Sequence, residues 1–240
     1  MRNVLVSGAS RGLGLAMATR LVADGFRVIA VARASGEDFG SAERECAGAL
    51  HFRACDLAAQ DGIPALVASV TREFGPLYGL VNNAGLGTGG ILATMPEAQI
   101  DALLSLNVAA PIKLAKQAVR SMMVGKSGRI VNVSSIVASN GFTGLSVYAA
   151  TKAALNGFTL SLAREVGKLG ITVNSVAPGF IPTAMTQDLT GAALEKIAAR
   201  SALRRLATPA DVAHAVSYLM SDGAGNVTGT IMTIDAGGTA

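Results

Sequence analysis

The chain has 240 residues, half of them hydrophobic and only 15% charged, with a mean hydropathy of +0.45. It is too apolar for disorder and long enough to close a sizeable core. A net charge of +4 from scattered basic residues, no Trp and 4% aromatics argue against a nucleic-acid surface. Cys46 and Cys55 lack metal-ligand spacing and read as reduced thiols of a cytoplasmic protein. With only His51 and His214, neither a metal site nor a Ser-His-Asp triad is expected.

In chain order, short β-branched runs alternate with longer helical patterns. Strands are expected at residues 4–6, 27–32, 50–53, 79–81, 129–133, 172–176 and 230–234. Helices are expected at 13–24, 41–47, 62–73, 97–123, 148–168 and 209–221. The opening "NVLVSGAS" leads straight into glycines, so no signal peptide is evident. Residues 74–96 and 130–151 carry no formal charge, a length that would admit a membrane span. However, "NNAG", "GTGG" and "SSIVASNGFTG" interrupt them, and they read as buried strands entering polar loops. Connections are short, with no linker and no repeat. The expectation is one α/β domain over 1–240, a Rossmann-type doubly wound parallel sheet with helices on both faces. Its cofactor half would run to about residue 130 and its catalytic half over 131–240. In such a sheet ligands bind beyond the carboxyl ends of the strands.

The loops at those ends are informative. "SGASRGLG", residues 7–14, leaves the first strand and opens a helix. Gly8, Gly12 and Gly14 would permit a tight turn and close approach of a pyrophosphate to the backbone. The spacing differs from G-x-G-x-x-G, and the competing reading is a plain strand-to-helix turn. The second strand ends in Ala32 and Arg33 with no carboxylate before Glu37, and Arg11 lies in the glycine loop. Two guanidiniums without an acid suit a ribose 2′-phosphate, which favours NADP(H) over NAD. Asp56 in "CDL" is either an acceptor for an adenine amino group or a helix N-cap. "NNAG", residues 82–85, is a turn that is cofactor-lining or structural.

In "YAATK", Tyr148 and Lys152 are four residues apart and share one helix face. A fixed ammonium would lower the phenol pKa from about 10 toward the working range. Many such pairs are only neighbours, so the pair needs support from elsewhere. Thirteen residues upstream is Ser135, whose hydroxyl at the end of the fifth strand would reach a substrate oxygen. Ser134 competes with it, but alternation points the two in opposite directions.

Taken in order, "SGASRGLG", "CDL", "NNAG", Asn107 in "SLNVAA", Ser135, "YAATK" and "APGF" resemble the short-chain dehydrogenase/reductase family over essentially the whole chain. Within it, "REVGKLGITVNSVAPGFIPTAMT" and "LRRLATPADVAHAVSYLMSD" are most similar to 3-oxoacyl-[acyl-carrier-protein] reductases. The resemblance implies Tyr148 as general acid, Lys152 as its pKa-lowering partner and ribose ligand, and Ser135 as carbonyl-orienting donor. It implies that Asn107 holds a water linking Lys152 to solvent. Gly8, Ser10, Arg11, Gly12 and Gly14 would line the phosphates, with Arg33, Asp56 and Leu57 nearer the adenosine. Asn82, Ala84 and Gly85 would run along the cofactor, and Pro178, Gly179, Ile181 and Thr183 would meet the nicotinamide. Two departures stand out: "DAGG" at 235–238 has alanine where the family usually shows glycine, and "GLSVY" precedes the tyrosine.

Helical residues 103–119 and 159–166 are apolar or small on several faces, which suggests subunit packing, and the resemblance implies a homotetramer. The leading activity is NADPH-dependent reduction of a 3-oxoacyl thioester of acyl-carrier protein or coenzyme A, with Lys126, Arg129 and Lys168 available to an acidic carrier. The alternatives are a family reductase acting on a free ketone, sugar or polyol, and a non-catalytic NADP-binding regulator. The pocket walls are expected at 136–142 and 183–203, the second in a conformation the sequence does not give. No membrane or nucleic-acid partner is expected.

Overall fold

The computed structural model describes residues 1–182 and 191–240. Seven parallel strands form one sheet in the order β3-β2-β1-β4-β5-β6-β7. They are β1 (Asn3–Ser7), β2 (Arg27–Ala32), β3 (Leu50–Ala54), β4 (Leu77–Asn82), β5 (Gly128–Val133), β6 (Ile171–Pro178) and β7 (Ile231–Ile234). The chain winds outward from β1 in one direction, then restarts at β4 in the other. This reversal opens a crevice between the carboxyl ends of β1 and β4, the place where such sheets bind ligands.

Strand alternation separates the core into two layers. Val4 and Val6 of β1, with Val28 and Ala30 of β2, face α1 (Gly12–Ala23), α2 (Glu37–Glu45) and α8 (Pro209–Met220). Leu5, Ile29 and Val31 face the other way, toward α3 (Ile63–Phe74), α5 (Ala110–Met122) and α6 (Ser146–Val166). Every residue of β1, β4, β5 and β6 is buried, because helices cover both faces, so the polar residues of these strands, such as Asn132 and Ser175, need partners inside the core. No helix among the described residues is long and apolar enough to cross a membrane, so the two uncharged stretches belong to this buried sheet and its loops.

Two helical expectations need correction, and one helix lies where none was derived. The second helix begins at Glu37 rather than residue 41, because Gly36 is its extended N-cap and Glu37 and Asp38 favour the first turn. The expected continuous helix over 97–123 is α4 (Glu97–Leu104), a π-turn at Ser105–Ala109 and then α5. At this turn the Ala110 amide reaches back to Ser105 O. Pro111 carries no N–H to return to the Asn107 carbonyl, so the regular ladder cannot pass through. Finally, α7 (Gly191–Arg200) lies in the segment for which no conformation was derived.

Candidate active site

The glycine loop is built by close approach. Gly8 has φ +67°, and a Cβ on it would lie 2.8 Å from Ala84 Cα. A Cβ on Gly14 would lie 2.1 Å from Gly8 O, and Gly12 sits at φ +55°. Side chains at 8 and 14 are therefore excluded, and a left-handed residue at 12 favours glycine. The loop delivers Arg11, the extended N-cap of α1, without any side-chain cap. The first amides of α1 are thus left for an anion. Arg11 and Arg33 are exposed, and Ser10 is half-buried. This cradle fits a pyrophosphate, with basic side chains at the positions expected for a 2′-phosphate.

Two residues not singled out from the sequence hold the loop. Ser7 Oγ accepts from Asn83 N at 2.9 Å and from Ala84 N at 3.0 Å. Asn83 Nδ2 donates to Ser7 O at 2.9 Å and to Gly8 O at 3.1 Å. Both lie within the quoted motifs, so their polarity at paired strand ends was the available signal. Asn82 ends β4 at the same edge, where only its backbone is left to face a cofactor. Its side chain is buried and donates to Asn132 Oδ1 at 2.8 Å and Pro111 O at 3.3 Å, so it points into the core. The Leu57 side chain likewise belongs to the core. Asp56 is not a helix N-cap. It closes a local turn by accepting from Ala58 N at 3.0 Å and remains exposed.

At the carboxyl end of β5 the two serines diverge as alternation requires. Ser134 is buried and donates to Lys152 O at 3.1 Å. Ser135, extended at φ −166°, accepts from Val137 N at 3.4 Å, and its hydroxyl is close enough to the Tyr148 phenol to favour the phenolate. Tyr148 lies in the first turn of α6, and Lys152 one turn later is buried, with Nζ donating to Val133 O at 2.9 Å. The ammonium lies 5.6 Å from the centre of the tyrosine ring. Burial pulls the Lys152 pKa down to about 8. For Tyr148, burial raises the pKa, and the Ser135 hydrogen bond acts in the opposite direction. The expected lowering by lysine thus gives way to a raised value, set first by desolvation of the phenolate.

Asn107 sits in the π-turn, fully buried. Its Oδ1 accepts from Leu86 N at 2.8 Å, and its Nδ2 donates to Leu86 O at 2.9 Å and Thr151 Oγ1 at 3.1 Å. The side chain is committed to these partners, so a water on it as expected would compete with them. Gly85 makes room for the group, since a Cβ there would come within 3.1 Å of Asn107 Oδ1 and 3.6 Å of Lys152 Nζ. Pro178 ends β6, Gly179 donates to Ile234 O at 2.9 Å, and Ile181 is buried beside the same edge. Phe180 meets Phe142 edge to face at 5.9 Å. Thr183 lies outside the described residues.

The structure therefore gathers Asn107, Ser135, Tyr148 and Lys152 at one sheet edge, with the glycine loop at the same edge. Lys126 and Lys168 are elsewhere. They are exposed at the opposite, amino edge, where the Lys126 carbonyl packs on Gly170. Arg129 is not available to a carrier: it is buried, with its guanidinium donating to Ser221 O and Gly128 O and lying over the Tyr78 ring.

The short chain dehydrogenase family model matches residues 2–193. The chain is 36% identical over 236 residues to the 3-oxoacyl-[acyl-carrier-protein] reductase MabA of Mycobacterium tuberculosis, spanning 98% of this chain and 92% of that one. It is 38% identical over 237 residues to the 3-oxoacyl-[acyl-carrier-protein] reductase FabG of Escherichia coli, spanning 97% and 95%. Among solved structures, a short-chain dehydrogenase from Burkholderia cenocepacia in complex with NADP superposes with a TM-score of 0.92 at 35% identity, covering 100% of this chain and 98% of that one. A Serratia marcescens short-chain dehydrogenase/reductase mutant gives 0.92 at 32%, with the same coverage. With the matched segment, the sheet order and the serine–tyrosine–lysine edge in agreement, this chain belongs to the short-chain dehydrogenase/reductase family of oxidoreductases acting on alcohol and carbonyl groups.

Proposed function

We propose that the protein reduces a 3-oxoacyl thioester to the 3-hydroxyacyl thioester with NADPH. The observation carrying this reading is Tyr148 beside Ser135 and one helical turn before a buried Lys152, in a chain similar over nearly its full length to two 3-oxoacyl-[acyl-carrier-protein] reductases. The glycine cradle, Arg11 and Arg33 would hold the cofactor's phosphates, and Gly85, Lys152 and residues 178–181 its nicotinamide end. NADPH, when bound, supplies the hydride. Ser135 and Tyr148 would donate hydrogen bonds to the carbonyl oxygen, and Tyr148 would give up its proton as the alkoxide develops. Only the phenol in its neutral form can act as this acid, and burial keeps it neutral through the physiological range. Reprotonation would pass by Lys152. Because the Asn107 side chain is already committed, a relay water there would use a backbone oxygen of the π-turn.

The expected assembly is a homotetramer working in the cytoplasm, with a carrier protein or coenzyme A presenting the acyl group. A carrier docked at Lys126 and Lys168 would serve a reactive edge on another subunit, since its own subunit's edge lies at the far end of the strands. Cofactor oxidation followed with NADPH and NADH against a panel of 3-oxoacyl thioesters, sugars and cyclic ketones tests the activity. The expected result is NADPH-dependent turnover of the thioesters; turnover of free ketones or sugars alone would replace this reading with the wider reductase one. Tyr148→Phe should lower turnover by about 10²–10⁴-fold while NADPH binding persists. Undiminished turnover in that variant would remove the tyrosine from its role.

A further inference from the structure

The chain end is joined to the nicotinamide side of the site more tightly than a terminal turn requires. Gly179 N donates to Ile234 O at 2.9 Å, and a Cβ on Gly179 would lie 2.6 Å from Asp235 Cβ and 2.9 Å from its Cα. There is no slack between this loop and the turn that follows β7. The Asp235 carboxylate organises that turn: Oδ1 accepts from Gly237 N at 2.9 Å and Oδ2 from Thr239 Oγ1 at 2.7 Å. Two successive residues, Ala236 at φ +57° and Gly237 at φ +75°, then adopt left-handed backbone. Alanine disfavours that conformation, and such strain persists where the surroundings over-determine it.

The turn's outer side holds the stretch after α7. Ala236 O accepts from Leu203 N at 3.0 Å and Gly237 O from Ala202 N at 3.2 Å, while a Cβ on Gly237 would lie 2.7 Å from Ala202 Cβ. The turn is thus wedged between the loop that ends β6 and the chain leaving the substrate-side helix. We propose that residues 235–239 set the position of the nicotinamide-side loop, with Asp235 as the positioning residue. The proposal rests on the reading that residues 178–181 meet the nicotinamide. Asp235 acts through Gly179 and need not touch the cofactor.

Two ligands separate this from a merely structural role: NADPH, and 2′-phospho-ADP-ribose, which keeps the adenosine and phosphates but lacks nicotinamide. Asp235→Ala should weaken NADPH about tenfold, the size expected for losing charge-assisted bonds that fix the loop, and leave phospho-ADP-ribose unchanged. Asp235→Asn retains an acceptor for Gly237 N and should restore NADPH affinity to within about twofold. Thr239→Val, which removes the hydroxyl that Asp235 Oδ2 accepts from and lies outside the nicotinamide-side loop, should repeat part of the selective loss and decides the matter if Asp235→Ala does not fold. Equal weakening of both ligands, or of neither, overturns the proposal. Failure of the unaltered protein to bind NADPH would instead sink the cofactor reading.

Discussion

The acid and its lysine neighbour show how far burial governs single residues here. Lys152 is pulled to about 8 from the 10.5 of an unfolded chain, because its ammonium is taken out of water with one protein acceptor, Val133 O. Between those values the unfolded chain holds a proton that the folded one has released, so stability rises with pH across this window. Below about pH 8 the folded protein carries the full penalty, of order 3 kcal/mol. Lys152→Met should therefore stabilise the cofactor-free protein near neutral pH, and the gain should fade as pH approaches 10.5. Urea unfolding of both proteins across that range checks it; a difference independent of pH would show that burial is not the cause. Motif reading located these residues but not every direction they take. Alternation separated Ser134 from Ser135, and the thirteen-residue spacing to Tyr148 favoured Ser135. "NNAG" fixes the proximity of Asn82 to the site, whereas its side-chain direction depends on Asn132 and Pro111.

Among elements, a buried polar ladder joins β4, β5, β6 and α6, the helix that carries Tyr148 and Lys152. Asn132 accepts from Asn82 and donates to Thr159 Oγ1 at 2.8 Å, and the Thr159 hydroxyl lies 3.4 Å from Ser175 Oγ. These groups sit at 0–3% exposure, so a missing partner cannot be replaced by bulk water. Asn132→Ala should cost about 1–3 kcal/mol in denaturant unfolding, since it removes two buried hydrogen bonds and leaves a cavity. Asn82 Nδ2 still keeps Pro111 O, and Thr159 Oγ1 keeps Leu155 O. A loss under about 0.5 kcal/mol would show the ladder to be dispensable. Element type and order were legible because two periodicities, 2 and 3.6, alternate cleanly along the chain. The π-turn was not, because residues 97–123 keep a helical pattern through it and the break depends on hydrogen-bond register. Nor was α7, which lies in a segment without a clean pattern, between the end of β6 and a capping box in which the Thr208 side chain and Asp211 close reciprocally.

On the scale of the molecule, the single chain leaves apolar side chains exposed on α4, α5 and α6. Leu104 is 45%, Ile112 39% and Leu160 48% exposed, and Ala150, Ala153, Ala154 and Gly157 lie open along α6. This agrees with the proposed subunit packing, in which small residues admit a second helix closely. Light scattering at micromolar concentration is expected to give a tetramer, and a monomer would remove that proposal. The same assembly would bring Lys126 and Lys168 of one subunit within the reach of a carrier serving another, and charge reversal at both should raise KM for a carrier-bound substrate while sparing coenzyme A thioesters. Unchanged kinetics for both substrates would argue against docking there.

The sequence by itself determined the alternation of strands and helices, the parallel sheet, and the set of residues at its carboxyl edge, because periodicity and motif spacing are local properties of the chain. Only the tertiary structure decided which way those side chains point, what they are bonded to and how burial sets their protonation. Hydrogen-bond direction and desolvation come from neighbours that are remote in sequence: Asn132 for Asn82, Leu86 for Asn107, and Asp235 for Gly179.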